Sequence, residues 1–172
     1  MTPRVRRVDP HAHRGRLYRA YARVSGTSRA ALWLSRHVAW KVDPLLLRMS
    51  GGRLSLTLPI RTGVLETRGA RTGAVRRNAV IYFHDGERVT LIASHAGAPT
   101  HPSWFHNLRA NPDVLFGGQE FRAEVVEDEP SRQRLWALAD QVFPPFAIYR
   151  EQAGRTGRTI PLVQLVARST PV

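Results

Sequence analysis

The chain has 172 residues, no cysteine and a net charge of +13 carried almost wholly by arginine, with Lys41 its single lysine. Without a thiol it forms no disulfide, offers no thiolate to a metal and does no cysteine-nucleophile chemistry; no apolar run approaches the roughly 18 residues that a membrane-spanning helix needs. The length suits one domain with its own core and an N-terminal extension, and the charge calls for an anionic partner.

The charge is concentrated at the front, where residues 1–50 hold ten arginines and Lys41 against only Asp9 and Asp43. Residues 1–13 contain Pro3 and Pro10 without periodicity and read as a loose arm, and the first 30 residues lack the apolar core of a secretory signal. Arg14 to Val24 reads as a short helix with Leu17, Tyr21 and Val24 on one face. Thr27-Ser28 offers an N-cap to a second helix over Arg29 to Lys41, with Trp33 and Trp40 two turns apart. Asp43-Pro44 reads as the start of a third, ended by Gly51-Gly52. This basic front end, residues 1–52, is either a packed helical cap or an element that lies on an anionic lipid surface. The second reading places the protein in the cytoplasm, peripheral at the inner face of the cell membrane.

From Leu54 the periodicity becomes strand-like, which sets a boundary at Gly51 to Arg53 and a second unit over 53–172. Strands are expected at Val64–Thr67, Asn78–His84, Val89–Ala93, Val114–Phe116, Phe121–Glu127 and Ile160–Arg168. Asp85-Gly86 and Gly117-Gly118 are hairpin signals, and such short connections favour antiparallel pairing. Pro102 to Ala110 and Pro130 to Val142 read as helices, the second led by the acidic Glu127-Asp128-Glu129. A dense aromatic and proline segment, Phe143 to Tyr149, follows.

The loop from Glu66 to Arg77 organises the site. Gly69 and Gly73 flank Arg71-Thr72, and Arg71 and Arg76 flank one space, where planar guanidinium groups grip phosphate or carboxylate oxygens in pairs. The loop lacks the Gly-Lys-Ser/Thr ending of a nucleotide triphosphatase. The histidines have no zinc-helix spacing, so no metal is expected, and no Gly-x-Ser-x-Gly elbow supports a serine hydrolase. Nucleic acid is not expected as a specific partner either, for want of a reading motif or a stacking platform. What remains is Ile92-Ala-Ser-His-Ala-Gly97 at a strand end, where small residues leave room for a flat ring and Ser94 and His95 can donate hydrogen bonds to it.

Five blocks in order, Thr67-Arg-Gly-Ala-Arg-Thr-Gly73 with Arg76, Tyr82 to Gly86, Ala93-Ser-His-Ala-Gly97, Pro102-Ser-Trp-Phe-His-Asn-Leu-Arg-Ala-Asn-Pro112 and Arg158-Thr-Ile-Pro161, resemble the deazaflavin-dependent nitroreductase family. The resemblance covers roughly Gly63 to Arg168. It implies a split β-barrel of about six antiparallel strands, of mixed α+β class. It also implies the reduced deazaflavin coenzyme F420, with its phosphate and oligoglutamate tail, as hydride donor to an electron-poor quinone, nitroaromatic or activated enone. By this resemblance Arg71, Arg76 and Thr72 hold phosphate and tail. Asn78, Ile81, Ala93, Ser94 and His95 line the ring and ribityl chain; Ser103, Trp104 and Asn107 close the other side. Phe143 and Phe146 line the acceptor, and Tyr149 hydrogen-bonds or protonates it. The chain departs from the family at Ala70, where a basic residue is usual, and at His95, where lysine is frequent. Flavin mononucleotide is the alternative coenzyme, a deazaflavin carrier without an acceptor is the alternative function, and the oligomeric state is open.

Overall fold

The computed structural model describes residues 5–28, 40–49 and 60–168. Six antiparallel strands close a barrel: β1 (Thr62–Arg68), β2 (Val75–Asp85), β3 (Arg88–Ile92), β4 (Asp113–Phe116), β5 (Gln119–Val125) and β6 (Leu162–Ala167), in the order β1-β2-β3-β6-β5-β4. The expected split barrel of α+β class is therefore present. Both glycine hairpins form. Asp85 pairs with Arg88 around a two-residue turn in which Gly86 alone has positive φ, and Phe116 pairs with Gln119 around Gly117 and Gly118, both of positive φ. These are the turn chemistries whose twist matches paired strands.

Residues opposite one another in an antiparallel ladder share a face. That rule puts Leu65, Tyr82, Leu91, Val163, Leu165, Phe121, Val114 and Phe116 together as the barrel filling, every one of them buried. Phe116 meets Tyr82 edge-on at 5.0 Å between centroids, across Gly63. A Cβ on Gly63 would stand 2.3 Å from the Phe116 ring, so the position has no room for a side chain.

Among the described residues five α-helices surround the barrel: α1 (Arg16–Thr27), α2 (Trp40–Met49), α3 (Ser103–Ala110), α4 (Glu129–Val142) and α5 (Phe146–Gly154). Asp128 caps α4 by accepting from Ser131 N at 2.9 Å, with Pro130 in the first turn. Arg134 of α4 clamps Asp85 of β2 with two bonds of 2.7 and 2.8 Å.

Two expectations need correction, one helix was not foreseen, and two other expectations fall outside the described residues. Trp40–Met49 is one helix through Asp43-Pro44, so no new helix starts there, and Asp43 is buried. The Phe143–Tyr149 segment turns into helix α5, whose weak periodicity hides it. The arm is not loose: Val8 N–H donates to His84 Nδ1 at 3.1 Å, His84 N–H donates to Val8 O at 2.8 Å, and the Tyr82 hydroxyl donates to Arg6 O at 2.7 Å. Its partners lie on a distant strand, which local periodicity cannot report. Burial pushes the Tyr82 phenol up to about 12, so that donor keeps its proton. Most of the expected helix over 29–41, and the boundary at Gly51 to Arg53, lie outside the described residues.

His84 is held below its ordinary range by burial and by Arg7, with Glu87 opposing. Its Nδ1 must stay unprotonated to accept from Val8. A histidine whose folded pKa is depressed stabilises fully above the unfolded value of about 6.5 and loses that contribution as pH falls toward the folded value. Thermal unfolding is therefore expected to move to lower temperature as pH drops from 7 to 5. His84→Gln, which keeps an acceptor but no titration, should flatten the slope; an identical slope in the variant would contradict the assignment.

Candidate functional site

Strands β1 and β2 are paired from Thr62↔Ile81 to Arg68↔Val75, and the loop between them is drawn tight by Gly69 N–H to Ala74 O and Gly73 N–H to Gly69 O, both 2.8 Å. Gly73 has φ +66, a backbone state that favours glycine. Asn107 of α3 fastens the loop from below: its Oδ1 accepts from Ala70 N–H and its Nδ2 donates to Thr67 Oγ1, both 3.1 Å. The two neighbouring arginines of β2 diverge by strand alternation. Arg77 takes the outer face and pairs with Glu66 at 2.8 Å, while Arg76 sits opposite Thr67 on the inner-facing side. Arg71 and Arg76 are exposed, and among the described residues neither enters an ion pair. Two guanidinium groups without carboxylates, Arg71 in the loop and Arg76 at the start of β2, make this hairpin end a candidate anion site.

Beside them the barrel is split. Strand β2 is laddered to β3 only over Tyr82 to Asp85, so residues 75–81 are paired with β1 alone. Where β3 would continue, the chain leaves at Ala93 and makes the turn Ser94-His95-Ala96-Gly97. The sequence Val75 to Ala79 is exposed or half-buried along this open edge. An unpaired strand edge therefore runs beside the Ser94 to Gly97 turn, with Arg71 and Arg76 at its loop end, a candidate slot for a flat ligand.

The turn is strained. His95 and Ala96 both have φ +48, a left-handed state that costs a non-glycine residue about 1–3 kcal/mol, and Gly97 follows at φ +71. A Cβ on Gly97 would meet Gln152 at 2.5 Å and the Tyr149 Cα at 3.2 Å, so the turn lies directly against α5. His95 Nδ1 contacts Thr100 O at 3.0 Å. A carbonyl only accepts, so Nδ1 carries a proton and spends it on Thr100 within the protein.

Behind the turn lies Arg158, buried to 7 % exposure. Its Nη1 donates to Ser94 O at 3.0 Å and to Ala98 O, its Nη2 to Ala93 O, and its Nε to His101 Nδ1 at 3.1 Å. Burial lowers its pKa from the ordinary arginine value. His101 is likewise held below its ordinary range, by burial first and then by Arg158, His106 and Arg109.

The aromatic side is closed by α1. Phe143, Phe146 and Tyr149 are all buried and pack ring to ring, Phe143 to Phe146 at 5.1 Å and Phe146 to Tyr149 at 6.2 Å. Tyr149 OH donates to Gly26 O at 2.7 Å, and Tyr18 OH donates to Val142 O at 2.9 Å. Gly26 meets the Pro145 ring at a distance that a Cβ would reduce to 2.4 Å.

Of the residues singled out in the sequence, Arg71, Thr72, Arg76 and Asn78 share the loop and the open strand, and Ser94 and His95 share the turn. Ile81 falls on the opposite face of β2 from Arg76 and Asn78. Ala93 is fully buried and forms the floor of the turn, with its N–H on Pro161 O at 3.0 Å. Ser103 is exposed, Trp104 is buried, and Asn107 is committed to the loop. Arg158 and Gly26 were given no role from sequence. The Arg158 block was recognised as a motif, but a lone arginine before an apolar strand does not announce its partners.

A separate cleft of about 580 Å³ opens on the outer barrel face, lined by Glu66, Arg68, Arg77, Asp113, Glu120 and Arg168 among others. Its arginines are balanced by carboxylates, with Arg77 on Glu66 and Arg168 on Asp113. It therefore has little surplus cation for a polyanion, and none of the sequence-predicted residues lines it.

The match to the family model for F420H(2)-dependent quinone reductase spans residues 39–167. An F420H(2)-dependent quinone reductase of Mycobacterium tuberculosis (strain ATCC 25618 / H37Rv) is 33 % identical over 146 residues, covering 79 % of this chain and 97 % of the relative. A second M. tuberculosis protein, described as a putative F420H(2)-dependent quinone reductase, is 30 % identical over 113 residues, covering 64 % of this chain and 92 % of its own. Among solved structures, an F420-H2 dependent reductase superposes with a TM-score of 0.52 at 31 % identity over 61 % of this chain and 93 % of that one. Another, described as a domain-swapped dimer, gives 0.56 at 28 % identity over 73 % and 94 %.

Proposed function

This chain belongs to the F420H(2)-dependent quinone reductase family, and from that premise we propose which residues hold the coenzyme and what the acceptor is. The protein is an oxidoreductase that uses the reduced deazaflavin F420 to reduce a small-molecule acceptor. When bound, that coenzyme supplies the hydride. The fit rests on two features: the pair Arg71 and Arg76, without carboxylate partners among the described residues, suits a phosphate and a carboxylate tail, and the open edge of β2 opposite Ser94 and His95 suits a flat ring.

In this reading Arg71, Thr72 and Arg76 bind the acidic end, Asn78 and the turn orient the ring, and Asn107 keeps the loop in place. The acceptor is a quinone that approaches from the α5 side, where Phe143 and Phe146 exclude water and the Tyr149 hydroxyl donates a proton once it leaves Gly26 O. The single observation that carries the reading is the anion loop at the mouth of the split between β2 and the turn.

The test is oxidation of F420H2 by menadione with and without the protein. A rate well above that of free solution is expected; no acceleration despite coenzyme binding would favour the carrier reading. Tyr149→Phe should lower turnover by about 100-fold if the phenol is the proton donor, with coenzyme affinity unchanged. Equal turnover in the variant would make Tyr149 a packing residue.

The exposed face of α1 supports a further element. Leu17, Tyr21 and Val24 are 88 %, 40 % and 64 % exposed at spacings of four and three, and Arg16, Arg19 and Arg23 lie beside them. An apolar stripe flanked by cations suits an anionic lipid surface, as expected of a peripheral protein that meets lipophilic quinones. Leu17→Asp with Val24→Asp should abolish sedimentation with phosphatidylglycerol vesicles; unchanged sedimentation would remove the lipid role.

A further inference from the structure

Arg158 is a buried cation without a carboxylate partner among the described residues, and burial without ion pairing is rare for arginine. Its fork is nevertheless engaged: three backbone carbonyls, Ala93 O, Ser94 O and Ala98 O, and the His101 ring accept from it. All three carbonyls flank the segment in which His95 and Ala96 are held left-handed. Arg158 itself is fixed from behind, its N–H donating to Ala153 O at the end of α5 at 3.0 Å.

We propose that Arg158 is a positioning residue for the coenzyme ring: it draws the carbonyls of Ala93, Ser94 and Ala98 back into the protein and so holds the left-handed turn that forms one wall of the slot. The proposal rests on the reading that this turn lines the deazaflavin. Strained backbone at a site persists only where its surroundings over-determine it, and here the guanidinium supplies that determination from one side while Gln152 and Tyr149 of α5 supply it from the other. Lysine carries the same charge but cannot span three carbonyls and a ring nitrogen in one plane. The His101 ring belongs to the same device, because its Nδ1 accepts the Nε–H that sets the plane of the fork.

The position of Arg158 separates its effect from that of the anion loop. Arg71 and Arg76 act on phosphate and tail, whereas a disturbed turn acts on the ring. The experiment is fluorescence titration of wild type, Arg158→Lys, His101→Leu and Arg71→Ala with two probes: oxidised F420 and its deazaflavin fragment lacking phosphate and tail. Far-UV circular dichroism is recorded on each protein. Arg158→Lys is expected to weaken both probes about tenfold, and His101→Leu, which removes a single acceptor and leaves Arg158 in place, to weaken both about threefold. Arg71→Ala is expected to weaken F420 alone. A further readout is the emission of the bound fragment, which should shift in Arg158→Lys as the ring loses its fixed wall.

Folded Arg158→Lys and His101→Leu proteins that bind both probes within twofold of wild type would overturn the proposal, as would weakening confined to F420. If Arg158→Lys does not fold, the His101→Leu titrations decide by the same criterion. Wild type that binds neither probe would instead remove the coenzyme-site reading on which the proposal rests.

Discussion

Arg71→Ala combined with Arg76→Ala is expected to weaken F420 binding by about 100-fold or more while leaving the fold unchanged. Hydrogen bonds to charged groups contribute about 1.5–3 kcal/mol each, so two lost guanidinium contacts correspond to at least two orders of magnitude in affinity. Both side chains are exposed and, among the described residues, without ion-pair partners, so their removal breaks nothing in the free protein. Surface changes of this kind shift stability by about 0.5 kcal/mol or less. Salt should weaken wild-type binding strongly and the double variant much less. Titration by coenzyme fluorescence checks the result, and an unchanged affinity in the double variant would remove the anion loop from the site. Arg77→Ala is the control, because that guanidinium is already paired with Glu66 on the outer face.

Gly26→Val should detach α1 from the aromatic side of the barrel. The added Cβ would lie 2.4 and 2.5 Å from the Pro145 ring and 2.8 Å from the Phe143 ring, and neither ring can swing away in a closed cluster. Overpacking of this kind costs about 1–3 kcal/mol, and undocking also breaks the Tyr149 bond to Gly26 O. The melting temperature is expected to fall by about 5 °C and the binding of an apolar dye to rise as Phe143, Phe146 and Tyr149 are uncovered. The kinetic change should fall on the KM for menadione, with F420 affinity within twofold. An unaltered melting temperature and dye signal would show that α1 is not seated as described.

The barrel was legible because its determinants are local. Alternating strands and two glycine turns, Gly86 and Gly117-Gly118, carry their own conformational signatures. The placement of Arg71 and Arg76 together was legible for the same reason, since both stand on one short hairpin. Long-range contacts were not. The Val8 to His84 pairing, the Asn107 clasp on Ala70 and Thr67, and the hold of Arg158 on Ala93 and Ser94 each join residues at least 37 apart in sequence. Helix α5 was not foreseen because Phe146 to Gly154 shows little amphipathic contrast. That the His95 Nδ1 proton goes to the Thr100 carbonyl was not legible either, because this acceptor lies five residues on, across the turn.

The direct test of the account is a crystal structure with oxidised F420 bound. The account predicts phosphate and tail oxygens within hydrogen-bond distance of Arg71 and Arg76, and the ring between the open edge of β2 and the Ser94 to Gly97 turn. A ring lodged in the outer cleft beside Glu66, Arg77 and Arg168, with both loop guanidiniums facing solvent, would contradict it.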